Sequence, residues 1–169
     1  SQGIALEGIN IVHKYLLRAF RNGREIEARS NMLTASSMGS TAFQKGLGAI
    51  HSLSHPVGAI YNTHHGLTNG VFMPYVLLKN KSAIEDRIIA LSRYINLPKN
   101  SFDSFMNWIL DLKKELGIPN TLKELIKDDS KFEEMSEMAL KDPSTSANPI
   151  KLDKNDFLEL YRSSYNGIL

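Results

Sequence analysis

The stretch GLGAIHSLSHPVGAIYNTHHGLTNGVFMPYVLLKN, residues 46–80, decides how this chain is read. It contains the one β-rich run of the sequence, Gly70–Leu78, but Pro74 sits inside that run, and proline cannot donate to a central strand ladder. The first half reads as helix. His51 and His55 are four apart, so a helix stacks them on one face. Pro56 is expected to kink that helix or to end it close to His55. A second helix is expected to start near His64-His65-Gly66, after a turn region at Gly58–Thr63, and to bring another imidazole back towards the first pair.

Outward from this stretch the helical period persists. Ile4, Ile11, Tyr15, Leu16 and Phe20 share one face, and Asn22-Gly23 ends that helix. A second helical stretch from about Arg24 to Phe43 becomes rich in Ala, Ser, Gly and Met, the composition of closely packed helices. Asn80 and Ser82 offer a stop and an N-cap before Ala83–Ile95, and Ser101 or Asp103 a cap for a helix running to Leu116. Phe105, Trp108, Ile109 and Leu112 are its expected inward face. Further helices are expected over Ser130–Leu140 and Asp153–Tyr165. The polar segment Asp142–Pro149 has the composition of irregular backbone. The fold class is therefore all-α: a single bundle-like domain of seven to nine helices over residues 1–169.

Composition narrows the function. With 20 basic against 18 acidic residues the net charge is only +2, which argues against a nucleic-acid binder. The absence of cysteine removes disulfides, thiolate zinc sites and cysteine nucleophiles. No apolar run approaches a membrane span, and the N-terminal residues lack a signal-peptide pattern. The expectation is a cytoplasmic protein that engages neither nucleic acid nor membrane.

What remains is the histidine cluster. Four of the five histidines, His51, His55, His64 and His65, fall within fifteen residues. Neutral imidazole is the commonest protein ligand for borderline divalent metals. The spacing suits two ligands from adjacent helices, with one imidazole left for proton transfer. The competing reading is a set of hydrogen-bonded histidines in a packed core. A metal set is incomplete locally, since no Asp or Glu occurs between Glu27 and Glu85 and catalytic metals take three or four protein ligands. Ser52 stands where a metalloprotease would need glutamate, and Ser52 and Ser54 lack a nucleophile elbow.

The pattern Gly48, His51, His55-Pro56, Gly58-Ala59, then His65-Gly66, Asn69 and Met73-Pro74, preceded by AFQKGLG, closely resembles the second signature of the iron-containing (group III) alcohol dehydrogenases. GIPNTLKEL and ALKDPSTSANPIKLDKNDFLELYRSSY resemble that family's closing segments. Glycerol dehydrogenases and dehydroquinate synthases share the fold and a related histidine pattern, but the flanks here are closer to the alcohol dehydrogenases.

The resemblance implies the C-terminal helical domain of a protein whose N-terminal nucleotide-binding domain is absent from this chain. It implies His51 and His65 as metal ligands, beside an Asp and a His from a D-x-x-x-H motif expected just before residue 1. It implies His55 as the residue that lies beside the nicotinamide and substrate, contacts the cofactor and relays the proton. His64 falls at a variable position and receives no role. Ser144 matches a position that approaches the active site, while Phe43 and Leu47 precede the ligand helix and are candidates to line the substrate pocket, with core packing the preferred reading for both. The implied cofactors are a divalent metal (Fe²⁺ first, Zn²⁺ second) and, in the parent, NAD or NADP. The implied substrate is a small alcohol or aldehyde, and a homo-oligomeric parent stays open. Alone, the chain is expected to be inactive and to bind metal weakly. The rival reading is a non-catalytic helical domain with a structural metal or packed histidines.

Overall fold

The computed structural model describes residues 2–169. Among them are eight α-helices and no strand: α1 (Gln2–Arg21), α2 (Ile26–Ala42), α3 (Ala49–Tyr61), α4 (His65–Lys79), α5 (Lys81–Tyr94), α6 (Phe102–Glu115), α7 (Phe132–Lys141) and α8 (Lys154–Asn166). Short 3-10 turns occupy Phe43–Lys45, Leu122–Glu124 and Pro143–Ala147. None of the helices is long and apolar enough to cross a membrane.

The chain divides into two compact units. One holds the residues up to Gly46 together with Glu85–Leu116; the other holds Leu47–Ile84 and Gly117–Leu169. In the first, α1 and α2 form a hairpin closed at Asn22, whose N–H bonds Arg18 O, and Arg18 pairs with Glu25 and Glu27. The small residues of α2 allow the close approach expected of them. A Cβ built on Gly8 of α1 would lie 3.5 Å from Met38 Cβ and 3.8 Å from Ala35 O. In the same unit Ser101 caps α6 by accepting from Ser104 N at 3.1 Å. Phe105 and Ile109 are buried, whereas Trp108 and Leu112 are half-buried. Trp108 meets the His13 ring edge-on at 5.2 Å. Ser82 lies inside the first turn of α5 and is not its cap.

The second unit carries the larger core. Leu53 and Val57 of α3, Val71 and Phe72 of α4, Leu122, Met135 of α7, and Phe157 and Tyr161 of α8 are all fully buried. This burial explains a departure from the sequence expectation at Pro56. The helix does not end there; α3 continues to Tyr61 with Pro56 inside it. An interior proline costs about 3 kcal/mol, but burying each apolar side chain of Leu or Val size returns roughly 1.5–3 kcal/mol. Leu53 and Val57 would lose that burial if the helix stopped. Pro56 has no N–H to offer the Ser52 carbonyl, and at the adjacent carbonyl the Tyr161 hydroxyl donates to Leu53 O at 2.8 Å.

The turn between α3 and α4 is consequently shorter than expected, Asn62–His64 in place of Gly58–Thr63. Asn62 takes a left-handed conformation (φ 54°) and donates to Gly58 O at 3.0 Å, closing α3. His64 caps α4, its Nδ1 accepting from Leu67 N at 3.2 Å. That tight reversal starts α4 at His65, one residue past the turn.

Candidate metal centre

Three imidazoles converge where α3 and α4 meet. The ring centroids lie 5.2 Å apart for His51 and His65, 5.3 Å for His55 and His65, and 5.9 Å for His51 and His55. The His55 and His65 rings stack with an interplanar angle of 15°. Helical spacing aligns His51 with His55 on α3, and the Asn62 reversal turns His65 back towards both.

Asn69, one turn beyond His65 on α4, joins two of the rings. Its Nδ2 lies 3.1 Å from His65 Nε2 and 3.4 Å from His51 Nε2. A carboxamide N–H donates, so both Nε2 atoms present lone pairs to one point. The other side of His65 fits this assignment. Its Nδ1 is 3.5 Å from Ser54 Oγ, and Ser54 Oγ donates to His51 O at 3.2 Å. Asn69 Oδ1 is buried and has no hydrogen-bond partner. Burial lowers the pKa of His51 below the ordinary histidine value, and the neighbouring His65 and His55 lower it further against an opposing pull from Asp142. That shift favours the neutral form of the His51 imidazole.

No group of three or more His, Asp or Glu among the described residues is arranged to hold a metal ion. Two convergent imidazole lone pairs and an unsatisfied amide oxygen beside them fit part of the coordination sphere of a borderline divalent ion.

His55 faces different chemistry. Its Nδ1 is 2.7 Å from Asp142 Oδ2, with the Asp142 side chain 13% exposed. Asp142 was missed by sequence reasoning, although the loop that carries it was singled out. Its other oxygen, Oδ1, accepts from Ser144 N at 2.8 Å and caps the 3-10 turn. Burial raises the Asp142 pKa, but the hydrogen bonds from His55 and Ser144 outweigh it and hold the carboxyl below its usual range.

The segment expected to be irregular is thus an ordered 3-10 turn lying along α3, tied to it at three points. Asn148 Oδ1 accepts from Ala49 N at 3.2 Å, Thr145 Oγ1 bonds Ser52 Oγ at 2.8 Å, and Asp142 Oδ2 bonds His55 Nδ1. On α3 these positions are 49, 52 and 55; on the loop they are 148, 145 and 142. A step of three keeps one face on both elements, so the two run antiparallel with matched rungs. Asn148 also exchanges two amide hydrogen bonds with Asn80, at 3.0 and 2.9 Å. A Cβ on Gly48 would press on Asn148 Oδ1 at 3.2 Å.

Of the predicted site residues, His51, His55 and His65 are brought together. Ser144 reaches the cluster through Asp142, which it hydrogen-bonds from both its backbone N–H and its side chain. Leu47 is half-buried at the approach to α3. Phe43 belongs to the other compact unit and is 56% exposed.

The family model described as "Fe-containing alcohol dehydrogenase family, C-terminal" matches residues 1–165. The 4-hydroxybutyrate dehydrogenase of Cupriavidus necator is 35% identical, over 97% of this chain and 45% of its own length. The NADPH-dependent butanol dehydrogenase of Clostridium saccharobutylicum is 30% identical, over 97% of this chain and 44% of its own. The crystal structure of a 1,3-propanediol oxidoreductase superposes with a TM-score of 0.90 at 27% identity, covering 96% of this chain and 44% of that one. The chain therefore spans less than half the length of the relatives it matches.

Proposed function

We propose, for a chain that belongs to the Fe-containing alcohol dehydrogenase family as its C-terminal domain, that it supplies the metal-binding half of a cytosolic, NAD(P)-dependent alcohol dehydrogenase. In this reading His51 and His65 ligate a divalent ion through Nε2, with Fe²⁺ preferred and Zn²⁺ accepted. The remaining ligands would come from the D-x-x-x-H segment of the parent's helical domain, and the nucleotide would be held by its nucleotide-binding domain. The observation that carries the reading is the convergence of the two Nε2 lone pairs on Asn69 Nδ2.

The bound ion would act as a Lewis acid on the substrate oxygen, and the nicotinamide would accept the hydride of a small alcohol or return it to an aldehyde. This chain's residues do the rest. His51 and His65 hold neutral lone pairs in register. His55 stands against both rings and takes the proton that leaves the substrate hydroxyl, with Asp142 balancing the charge it gains. Ser144 and Leu47 are the candidates to line the substrate pocket, with core packing the preferred reading of Leu47.

Anaerobic calorimetric titration with Fe²⁺ and Zn²⁺ tests the reading, alongside NAD(P)-linked oxidation of short alcohols and diols. We expect weak binding by the chain, abolished by His51→Ala or His65→Ala, and no turnover. Equal metal affinity in wild type and both variants would overturn the ligand assignment. Tight stoichiometric binding without turnover would support the rival, a structural metal site completed within this chain.

A further inference from the structure

We propose that Asp142 is the positioning residue of His55: its carboxylate fixes the imidazole as the Nδ1–H tautomer and leaves Nε2 as the nitrogen that exchanges a proton with the substrate. The inference rests on the reading of His55 as the proton-handling residue and extends it to a partner 87 positions away.

The carboxylate divides its work between its two oxygens. Oδ1 is committed to Ser144 N at 2.8 Å, which fixes the plane of the carboxylate against the 3-10 turn. Oδ2 is then aimed at His55 Nδ1 at 2.7 Å, a charge-assisted distance. A deprotonated carboxylate can only accept, so the shared proton resides on Nδ1. The carboxylate is the more enclosed partner, with side-chain exposures of 13% for Asp142 and 43% for His55. The geometry is therefore imposed by the loop on the imidazole.

The loop itself cannot drift, because the Thr145–Ser52 and Asn148–Ala49 contacts register it against the helix that carries His55. Thr145 Oγ1 also lies 2.6 Å from Ala139 O, tying the loop to the end of α7. A histidine in water is free to place its proton on either nitrogen. Here one nitrogen is assigned before any ligand arrives. When Nε2 takes a proton, the cation formed sits against a fixed anion, and no group has to reorient.

The other two imidazoles are set by different groups, His65 by Ser54 and Asn69, and His51 by Asn69. They serve as internal controls. The test is long-range ¹H–¹⁵N correlation on the histidine-labelled 169-residue chain, without metal or nucleotide, above the histidine titration range. His55 is expected to show a protonated Nδ1 and a bare Nε2. Asp142→Asn keeps an oxygen for Ser144 N but turns a donor towards Nδ1, so the His55 pattern should invert to Nε2–H. Asp142→Ser keeps a cap for the turn yet does not reach His55, so its tautomers should mix. His51 and His65 should keep their patterns in both variants.

A wild-type His55 protonated on Nε2, or a His55 pattern unchanged in Asp142→Asn, would overturn the proposal. Altered His51 and His65 patterns in both variants would overturn it too, because Asp142 would then hold the fold of the site at large. Since no metal enters the measurement, failed metal binding leaves this result standing, and failure here leaves His51 and His65 as ligands.

Discussion

Ser52 Oγ and Thr145 Oγ1 lie 2.8 Å apart although 93 positions separate them. Ser52 is fully buried, and the contact is the middle rung between α3 and the 3-10 turn. On one side of it stands the capping contact of Asn148, on the other the His55–Asp142 pair. Thr145→Val keeps the shape and removes the hydroxyl, leaving the buried Ser52 hydroxyl without this contact. The expected loss is about 1–3 kcal/mol, read by urea denaturation. An unchanged midpoint would show that the rung contributes nothing.

Asn148→Ala removes the acceptor for Ala49 N and one half of the Asn80–Asn148 amide pair. A lost cap typically costs ~1 kcal/mol and the stranded Asn80 amide adds to it. Gly48→Ala should act on the same contact from the opposite side, by displacing Asn148 Oδ1. If the two effects share this cause, the double variant falls short of the sum of the singles.

Tyr161→Phe leaves the core packing of α8 in place but withdraws the donor from Leu53 O. Because Leu53 O adjoins the Ser52 carbonyl that Pro56 leaves without its helical donor, losing this bond is expected to destabilise by about 1 kcal/mol. Hydrogen exchange should localise the weakening to the residues around Pro56. Uniform loosening across both compact units would contradict this.

Asn69→Asp introduces a carboxylate where an amide faces two imidazole lone pairs. Hard and borderline divalent ions favour such an oxygen ligand, so Zn²⁺ affinity should rise on the order of tenfold or more, by calorimetry. Asn69→Leu should lower it, since neither lone pair then has a partner to orient it; loss of outer-shell partners costs on the order of 10–100-fold. A lower affinity in Asn69→Asp than in wild type would count against the two-imidazole site.

Acid should weaken the fold through His13. Its Nδ1 is buried without a hydrogen-bond partner, and burial first, Lys14 second, lower its pKa below the ordinary value. The unfolded chain then binds the proton more readily than the folded one. Stability is accordingly complete above the unfolded histidine pKa of about 6.5 and declines as pH falls below it. His51, shifted in the same direction, adds to the slope. Urea midpoints at pH 7.5 and pH 5.5 should differ in wild type and differ less in His13→Leu. An identical slope in the variant would remove His13 from the account.

The helices were legible wherever a short period and a punctuating residue coincided. Asn22-Gly23 and Ser101 stand at the boundaries the sequence suggested. Pro56 misled because its local cost is visible in sequence, whereas the burial of Leu53 and Val57 that offsets it depends on α4, α7 and α8. The same divide runs through the site. His51, His55 and His65 share one short helical hairpin, so spacing alone drew attention to them. Asp142 was invisible because a lone carboxylate in a polar loop has no local feature that points to a histidine on another element. Asn69 stood in the signature stretch, yet that its amide faces two imidazoles at once follows only from the angle of the Asn62 reversal.

The rungs between α3 and the 3-10 turn also order events in time. His51 and His65 are 14 positions apart and can meet once a single hairpin has formed, while His55 must wait for Asp142, 87 positions further on. Closing the longer loop costs about 1.6 kcal/mol more in chain entropy, and during synthesis from the N-terminus the later residue does not yet exist when the hairpin emerges. The nascent chain thus brings two imidazoles together before His55 has its carboxylate, and this corner of the fold is completed by its distal C-terminal segment.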